Sequence, residues 1–257
     1  MLAELLELAP SGVEEATLSD GTVEYAVYGA PGELPALPAV KAAAGEALVE
    51  VSTQEVPDDW ETRWRAYHRP LVIDTRLGVR PPWEAPAETA VDLVIDPGRA
   101  FGTGAHPTTR LCLEALLELP PLGALVDLGC GSGVLAIAAR RRGWSPVLAL
   151  DNDPAAIEAT FANAERNEVE LTALRYDLRR DPVEPSVAAT VVANLLAPLL
   201  GTWAARLREA EELPEQVIAS GLLDTERDRV AAAFAPLGFR ETRRLAGGDW
   251  LALVLSR

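Results

Sequence analysis

Lysine is almost absent from this chain of 257 residues: Lys41 stands alone, and the other 22 basic residues are arginines. A Walker A loop or a Schiff-base mechanism needs a well-placed lysine, and no glycine-rich stretch here has one nearby. Cysteine is equally scarce. Cys112 and Cys130 are too few for a disulfide framework or a zinc site, and both read as small apolar residues. No apolar run reaches the roughly 18–20 residues of a membrane span. The first ten residues, MLAELLELAP, carry two acids and no basic cluster, so a secretory signal is not expected and the cytoplasm is the default location. Positive charge is also short, with 23 basic against 39 acidic residues and a net charge of −16. That balance argues against binding a nucleic-acid backbone and favours basic proteins or cationic groups as partners. The excess is uneven: residues 1–58 hold eleven acids and one base, for −10 of the total.

What is present is organised around Leu125-Val-Asp-Leu-Gly-Cys-Gly-Ser-Gly133. An apolar run carries one acid, Asp127, and breaks into three alternating glycines, Gly129, Gly131 and Gly133. The helix candidate Val134 to Arg142 follows. Strand, tight loop and helix N-terminus in that order let backbone N–H groups approach a ligand closely. A second strand, from Val147, ends at Asp151, where an acid is placed to take ribose hydroxyls. This is the pattern of a site for a nucleoside-bearing cofactor.

Three regions flank or contain it. Residues 1–56 read as a small α+β unit: a helix at 2–8, strands at 13–18 and 22–28 around a Ser-Asp-Gly turn, a helix at 35–44 and a strand at 47–56. Residues 57–90 read as a connector. It holds a short helix with Trp60, Trp64 and Tyr67 on one face and His68 at its end, then an extended segment stiffened by Pro81, Pro82 and Pro86. The aromatic face either docks on a domain or lines a groove. Residues 91–257 alternate strand and helix, which predicts a doubly wound parallel sheet with right-handed crossovers. Its elements are a strand or extended entry at 91–95, the loop DPGRAFGTGAHP at 96–107, a helix at 108–119, strands at 125–128, 147–151, 171–176, 188–193 and 216–220, and the helices between them. Strands at 239–245 and 250–255 around Gly247-Gly248 close the chain as a hairpin that adds two edge strands, one of them antiparallel.

Taken from Gly129 the loop is G-x-G-x-G; taken from Gly131 it satisfies a dinucleotide-type G-x-G-x-x-A. The glycines alone leave S-adenosylmethionine and a nicotinamide dinucleotide both open. Three features favour the former. Asp127 could meet a cationic group such as an α-ammonium. The fourth strand of the series ends in Asn194 at the carboxyl edge of the sheet, beside the expected switch-point crevice. The chain ends in a hairpin rather than a second mononucleotide half.

The combination IDPGRAFGTGAHPTTR, LVDLGCGSGVLAIAARRRG, LDNDP and VVANLLAP resembles the PrmA family of ribosomal-protein methyltransferases, over about residues 57–257. The FGTG-x-H-x-TT loop is the distinctive part. The resemblance implies a class I, Rossmann-like methyltransferase domain using S-adenosylmethionine. It also implies a substrate: protein eleven of the large ribosomal subunit, methylated on lysine side chains and on its N-terminal amine. By motif position it implies cofactor contacts at Thr109, Gly129, Asp151 and Asn194. Gly131 would pass under the ligand, Asp177 would meet the adenine amine, and Phe101 would either cover the ligand or pack. Asn194 is the candidate catalytic residue, as acceptor for the amine's hydrogens; no metal is implied. His106 either touches the acceptor or shapes its loop. The N-terminal region departs from the family, which implies a βαββαβ recognition domain where residues 1–56 read as α-β-β-α-β. Either the first strand is missing or the start lies inside a longer gene. The rival readings are a methyltransferase of the same fold acting on another protein or a small molecule, a nicotinamide oxidoreductase, and a non-catalytic cofactor-binding module.

Overall fold

The computed structural model describes residues 14–17, 23–27, 38, 40, 48–52, 70–97 and 106–257. The chain divides into two compact units, Met1–Thr62 and Arg63–Arg257. In the first, strands β1 (Glu14–Thr17) and β2 (Val23–Ala26) pair antiparallel, with Glu14 opposite Ala26 and Thr17 opposite Val23. That is the expected hairpin; its turn at 19–21 lies outside the described residues. Residues 48–52 take no regular structure, so the strand expected at 47–56 is not seen in its described part. The aromatic helix expected at 59–68 also lies outside the described residues.

The second unit begins with a feature the sequence reading did not anticipate. Leu71–Ile73 (β3) and Leu77–Arg80 (β4) form a hairpin, and Val91–Val94 (β5) adds parallel to β4, giving a three-stranded sheet. The expected connector therefore carries two strands in its described part. Val91–Val94 belongs to this small sheet and not to the main one. The hairpin turns at Asp74, whose φ is 50°, and the prolines expected to stiffen an extended segment follow β4. Arg80 holds the β4–β5 pair with two bonds from Nε to the Asp92 carboxylate, 2.9 and 3.2 Å. Ile73, Leu77, Val79, Leu93 and Ile95 are buried in a core shared with the first helices of the main domain.

The main domain follows the expected alternation. Helix α1 (Pro107–Glu118) precedes β6 (Leu125–Leu128); α2 (Val134–Arg142), β7 (Val147–Asp151), α3 (Pro154–Arg166) and β8 (Thr172–Arg175) come next. The chain continues with β9 (Thr190–Asn194), α4 (Ala197–Arg206), β10 (Gln216–Leu223), α5 (Arg227–Phe234) and the hairpin β11 (Arg240–Gly247) and β12 (Trp250–Ser256). The seven strands lie in the order β11-β12-β10-β9-β6-β7-β8. All pairs from β10 to β8 are parallel, and β12 alone runs against its neighbours. This is the α/β, class I methyltransferase arrangement expected from the sequence, with its antiparallel hairpin at one edge.

Strand residues alternate between two cores. Leu125, Val192, Ile218 and Val254 face the core that holds α1 and α2. Val126, Val191, Ala193, Val217 and Leu253 face the other, with Trp203 of α4 and Phe234 of α5. Both faces of the sheet are covered at its centre, so β6, β9, β10 and β12 are buried along most of their length, whereas the edge strands β8 and β11 keep polar, exposed residues. Cys112 and Cys130 are buried in the first core, as small apolar residues would be. Among the described residues, no helix is long and apolar enough to cross a membrane.

The chain leaves β6 for β7 and β8 on one side, then returns to β9 on the other. The switch point is thus between β6 and β9, and crevices that take ligands open at the carboxyl ends of such strands.

Candidate functional site

The register places three expected site residues level with one another. Leu128 of β6 is opposite Leu150 of β7 and Ala193 of β9. The next residue on each strand is therefore Gly129, Asp151 or Asn194, at the carboxyl edge of three adjacent strands. The floor between them is held by backbone: Gly129 and Cys130 donate their N–H groups to the Leu150 carbonyl at 2.7 and 3.0 Å. Gly129 has φ +82°, and a Cβ there would lie 2.5 Å from Cδ2 of Leu195. Only glycine allows the residue after Asn194 to pack this closely under the loop.

Asp151, at the carboxyl end of β7, braces the loop. Its Oδ2 accepts the Gly131 N–H at 2.9 Å and its Oδ1 accepts the Asp153 N–H at 3.0 Å. Each oxygen keeps further lone-pair capacity, because a carboxylate has about four acceptor sites. Asp153 in turn caps α3 by accepting from Ala155, with Pro154 at the first helical position. The segment 151–155 thus supplies a brace for the glycine loop and a rigid start for the next helix.

Asn194 and Thr109 meet. Asn194 Nδ2 donates to Thr109 Oγ1 at 3.4 Å, across 85 residues of sequence. That contact turns the amide so that Oδ1 is left to accept from something else. Thr109 is buried in the first turn of α1, and its backbone N–H bonds the His106 carbonyl. Ser220, opposite Asn194 on β10, ties this turn to the hairpin by donating to Leu251 O at 2.8 Å and to Thr108 O at 3.4 Å.

His106 caps α1. Its Nδ1 accepts from Thr108 N at 3.3 Å and lies 2.7 Å from Thr108 Oγ1, while its ring meets Trp250 edge-on at 5.0 Å. Of the two roles open in the sequence, shaping the helix start is the one these contacts provide. Burial lowers its pKa to about 4, so the ring is neutral at physiological pH and too weak a base to deprotonate an ammonium.

Asp177 lies two residues beyond β8. Its Oδ1 accepts from Arg179 N at 2.9 Å, and its carboxylate is 3.7 Å from Arg180. The preceding Tyr176 is buried and bonds Ser186, which Trp203 also reaches. Phe101 lies outside the described residues.

Asp127 is placed differently from a ligand-facing acid. It is fully buried, and Oδ2 accepts from Ala136 N at 3.0 Å, in the first turn of α2. Oδ1 is buried without a hydrogen-bond partner. Burial raises the carboxyl to about 7, with the nearby Asp151 charge adding to the rise. A proton or an ammonium would satisfy that oxygen.

The two buried groups give opposite pH slopes. A carboxyl raised from about 3.9 to about 7 binds its proton more tightly when folded, so it lowers stability as pH rises through that window. A histidine lowered from about 6.5 to about 4 is harder to protonate when folded, so it adds stability as pH rises through its own window. Asp127→Asn removes the first slope only. Relative to the parent protein, the variant is expected to gain stability steadily between pH 4 and pH 7, by on the order of 4 kcal/mol at most, and to level off above. Urea unfolding at pH 4, 5.5 and 7.5 reads this directly. A difference that stays constant across the three would contradict a buried, proton-binding Asp127.

Sequence reading passed over the polar stripe of α3. Thr160 donates to Gly131 O at 3.1 Å, and Asn163 donates to Ser132 O at 2.9 Å, so this helix grips the glycine loop from behind. Asn167, at the end of the helix, pairs with the backbone of Val94. The signal available was the i, i+3, i+7 spacing of three polar residues in a helix that must bury one face.

The donor set suits S-adenosylmethionine. An acid at the end of β7 matches a ribose diol, and an amide at the end of β9 flanks the same floor. The fixed glycine loop, where Gly129 leaves no room for a Cβ beside Leu195, completes a floor for such a nucleoside.

Comparison with known proteins agrees. The family described as Ribosomal protein L11 methyltransferase (PrmA) matches residues 28–257. A protein of that name from Chloroflexus aurantiacus is 39 % identical over 227 residues, covering 78 % of this chain and 69 % of its own length. One from Parasynechococcus marenigrum is 41 % identical over 210 residues, covering 78 % and 72 %. Among solved structures, a ribosomal protein L11 methylase from Lactobacillus delbrueckii subsp. bulgaricus aligns with a TM-score of 0.63 at 28 % identity, over 73 % of this chain and 98 % of that one. A tRNA (uracil-54, C5)-methyltransferase from Pyrococcus abyssi, in complex with S-adenosyl-L-homocysteine, shares the fold at 21 % identity, a TM-score of 0.50, and 60 % and 39 % coverage. With the sheet order, the Asp151 and Asn194 strand ends and the capped Thr109 turn all in place, the chain belongs to the ribosomal protein L11 methyltransferase (PrmA) family.

Proposed function

We propose that this chain transfers methyl groups from S-adenosylmethionine to amino groups of ribosomal protein L11, on lysine side chains and on the N-terminal amine. The single observation that carries the reading is the level set of Gly129, Asp151 and Asn194, with the Asn194 amide turned by Thr109. When bound, the cofactor supplies an electrophilic methyl on a sulfonium. The protein's own task is then to hold and orient the two reactants and keep water out. Asp151 takes the ribose hydroxyls. The glycine loop lies under the ligand, and Asp177 takes the adenine end. Asn194 Oδ1 accepts an N–H of the incoming amine and aims its lone pair. The amine must arrive neutral, and desolvation in the crevice lowers a lysine pKa from about 10.4 toward that state. Trp250 and His106, held edge to face beside the Thr109 turn, form an uncharged wall that favours the neutral amine over the ammonium.

The acid excess of −16 supports a basic protein as partner and not a nucleic-acid backbone, and a ribosomal substrate supports a cytoplasmic place of work. The direct test is mass spectrometry of purified L11 incubated with the enzyme and labelled S-adenosylmethionine. Methyl groups on its amino groups are expected, and an unmodified L11 overturns the reading.

In this proposal residues 1–56 choose the protein substrate, and the second unit, from Arg63 and including the sheet at 71–94, performs the transfer. A chain lacking residues 1–56 is expected to bind S-adenosylhomocysteine within about twofold of the full chain. Its kcat/KM on L11 is expected to fall at least about 100-fold, as when one of two linked binding modules is removed. Full-rate methylation by the shortened chain would remove that role.

A further inference from the structure

The stripe of buried polar residues on α3 lies behind the cofactor floor, and its bonds are more specific than packing requires. Thr160, Asn163 and Asn167 are all buried. Asn163 uses its whole hydrogen-bonding capacity. Its Nδ2 donates to Ser132 O at 2.9 Å and to Asp96 O at 3.2 Å, while its Oδ1 accepts from Asp96 N at 2.9 Å and from Arg166 at 3.2 Å. Asn167 treats Val94 as Asn163 treats Asp96, accepting from its N–H at 2.8 Å and donating to its carbonyl at 2.7 Å. Val94 and Asp96 are two residues apart, so their backbone groups face the same way. The two amides thus stand in for a neighbouring strand along the open edge of β5, whose other edge is taken by β4.

Only the forward part of the stripe reaches the glycine loop. Thr160 Oγ1 donates to Gly131 O at 3.1 Å and lies 3.3 Å from Cys130 Sγ. The approach is close: a Cβ on Gly133 would sit 2.9 Å from the Thr160 hydroxyl and 3.1 Å from its Cα. Asn163 holds the next carbonyl, Ser132 O, and the backbone of Asp96 with the same amide. Asn167 holds Val94 and touches no atom of the loop in its bonding.

We propose that Thr160 and Asn163 are positioning residues for cofactor binding: they fix the Gly131 and Ser132 carbonyls, and Asn163 locks that floor to the backbone of Asp96. Neither touches the ligand. They act by holding Gly131, whose N–H is also bound by Asp151, at the height the ribose acid requires. Asn167 supplies the internal comparison, because it anchors the same β5 edge without reaching the floor. The inference rests on the reading of the glycine loop as the cofactor floor.

The test compares two pairs of variants of the full chain. Thr160→Val keeps the shape of the side chain and removes the hydroxyl, whereas Thr160→Ser restores it. Asn163→Ala cuts the loop and Asp96 together, whereas Asn167→Ala cuts only Val94 and a helix carbonyl. Affinity for S-adenosylhomocysteine is read by calorimetry, melting temperature by circular dichroism, and KM for S-adenosylmethionine and kcat by methyl transfer. Thr160→Val and Asn163→Ala are expected to weaken binding about tenfold and to raise KM for the cofactor by a similar factor, with kcat within about threefold. Thr160→Ser is expected to return to within about twofold of the parent. Asn167→Ala is expected to lower the melting temperature while holding parental affinity. Equal loss of affinity in the Asn163 and Asn167 variants overturns the proposal, as does a serine variant no better than valine. If Asn163→Ala does not fold, the valine and serine pair decides alone. A parent protein that binds no S-adenosylhomocysteine fails the underlying reading instead, and that outcome is distinct from the others.

Discussion

Replacing Asp151 with alanine is expected to weaken binding of S-adenosylhomocysteine by at least about 100-fold, the larger of the effects on cofactor affinity. Two losses combine. The first is direct: a carboxylate that accepts from two ribose hydroxyls makes two charge-assisted bonds, each contributing about 1.5–3 kcal/mol. The second is local. Asp151 already accepts the N–H groups of Gly131 and Asp153, so its removal leaves two backbone donors without their partner and loosens the glycine floor. Asp151→Asn separates the two. Its carbonyl oxygen can keep one backbone bond, but its NH2 group faces a donor, and the charge is gone. The asparagine variant is therefore expected to bind little better than alanine, while melting closer to the parent protein. Calorimetric titration of both variants measures this, and parental affinity in Asp151→Ala would exclude the acid from the site.

Asp151 is also a residue whose place could be read from the chain alone, and the reason is local. Val147-Leu-Ala-Leu is an apolar run too short for a helix and ends on an acid. Asp153-Pro154 then carries both an N-cap and a residue fitted to the first helical position. The β6 loop and Asn194 were legible in the same way, from apolar runs broken by glycine or an amide. The closing hairpin was legible from Gly247-Gly248. What escaped depends on partners far away in sequence. Strands β3 and β4 are three and four residues long, flanked by prolines and charges, and they exist because they pair with each other and with β5 in the core that also holds α1 and α2; β5 was legible as a strand, but not its place in this small sheet. Asn163 and Asn167 look like an ordinary polar face until Val94 and Asp96, 73 and 67 residues earlier, are set against them. Asp127 posed a different difficulty. Its sequence position marks an acid beside a glycine loop, but not whether the side chain turns to the crevice or to the helix start, and the Ala136 N–H takes one of its oxygens.

Asn194 calls for the opposite pattern from Asp151: turnover should fall far more than affinity. Asn194→Ala is expected to lower single-turnover methyl transfer by about 100-fold or more while S-adenosylhomocysteine binds within about threefold of the parent. Losing one pre-placed hydrogen-bonding group in a transition state costs about 10²–10³ in rate in comparable sites. The geometry gives Asn194 that place. It sits level with Gly129 and Asp151, and its Nδ2 is held by Thr109 Oγ1 at 3.4 Å, so Oδ1 is oriented before substrate arrives. The Asn194 amide carries no charge, and the titratable side chain that caps that turn, His106, is held neutral by burial. The rate should therefore rise with pH as the substrate amine loses its proton, and His106 should add no step near pH 6.5. Two further variants separate aim from contact. Thr109→Val keeps the packing of a buried residue but frees the Asn194 amide to turn, and is expected to lose about tenfold in rate. Asn194→Asp puts a charge beside the incoming group. It should bind an ammonium in place of the neutral amine, so its rate optimum is expected to move to higher pH. Single-turnover measurements across pH 6–10 read all three. Unchanged transfer in Asn194→Ala would remove Asn194 from the reaction, and an unshifted optimum in Asn194→Asp would remove the contact between this side chain and the amine.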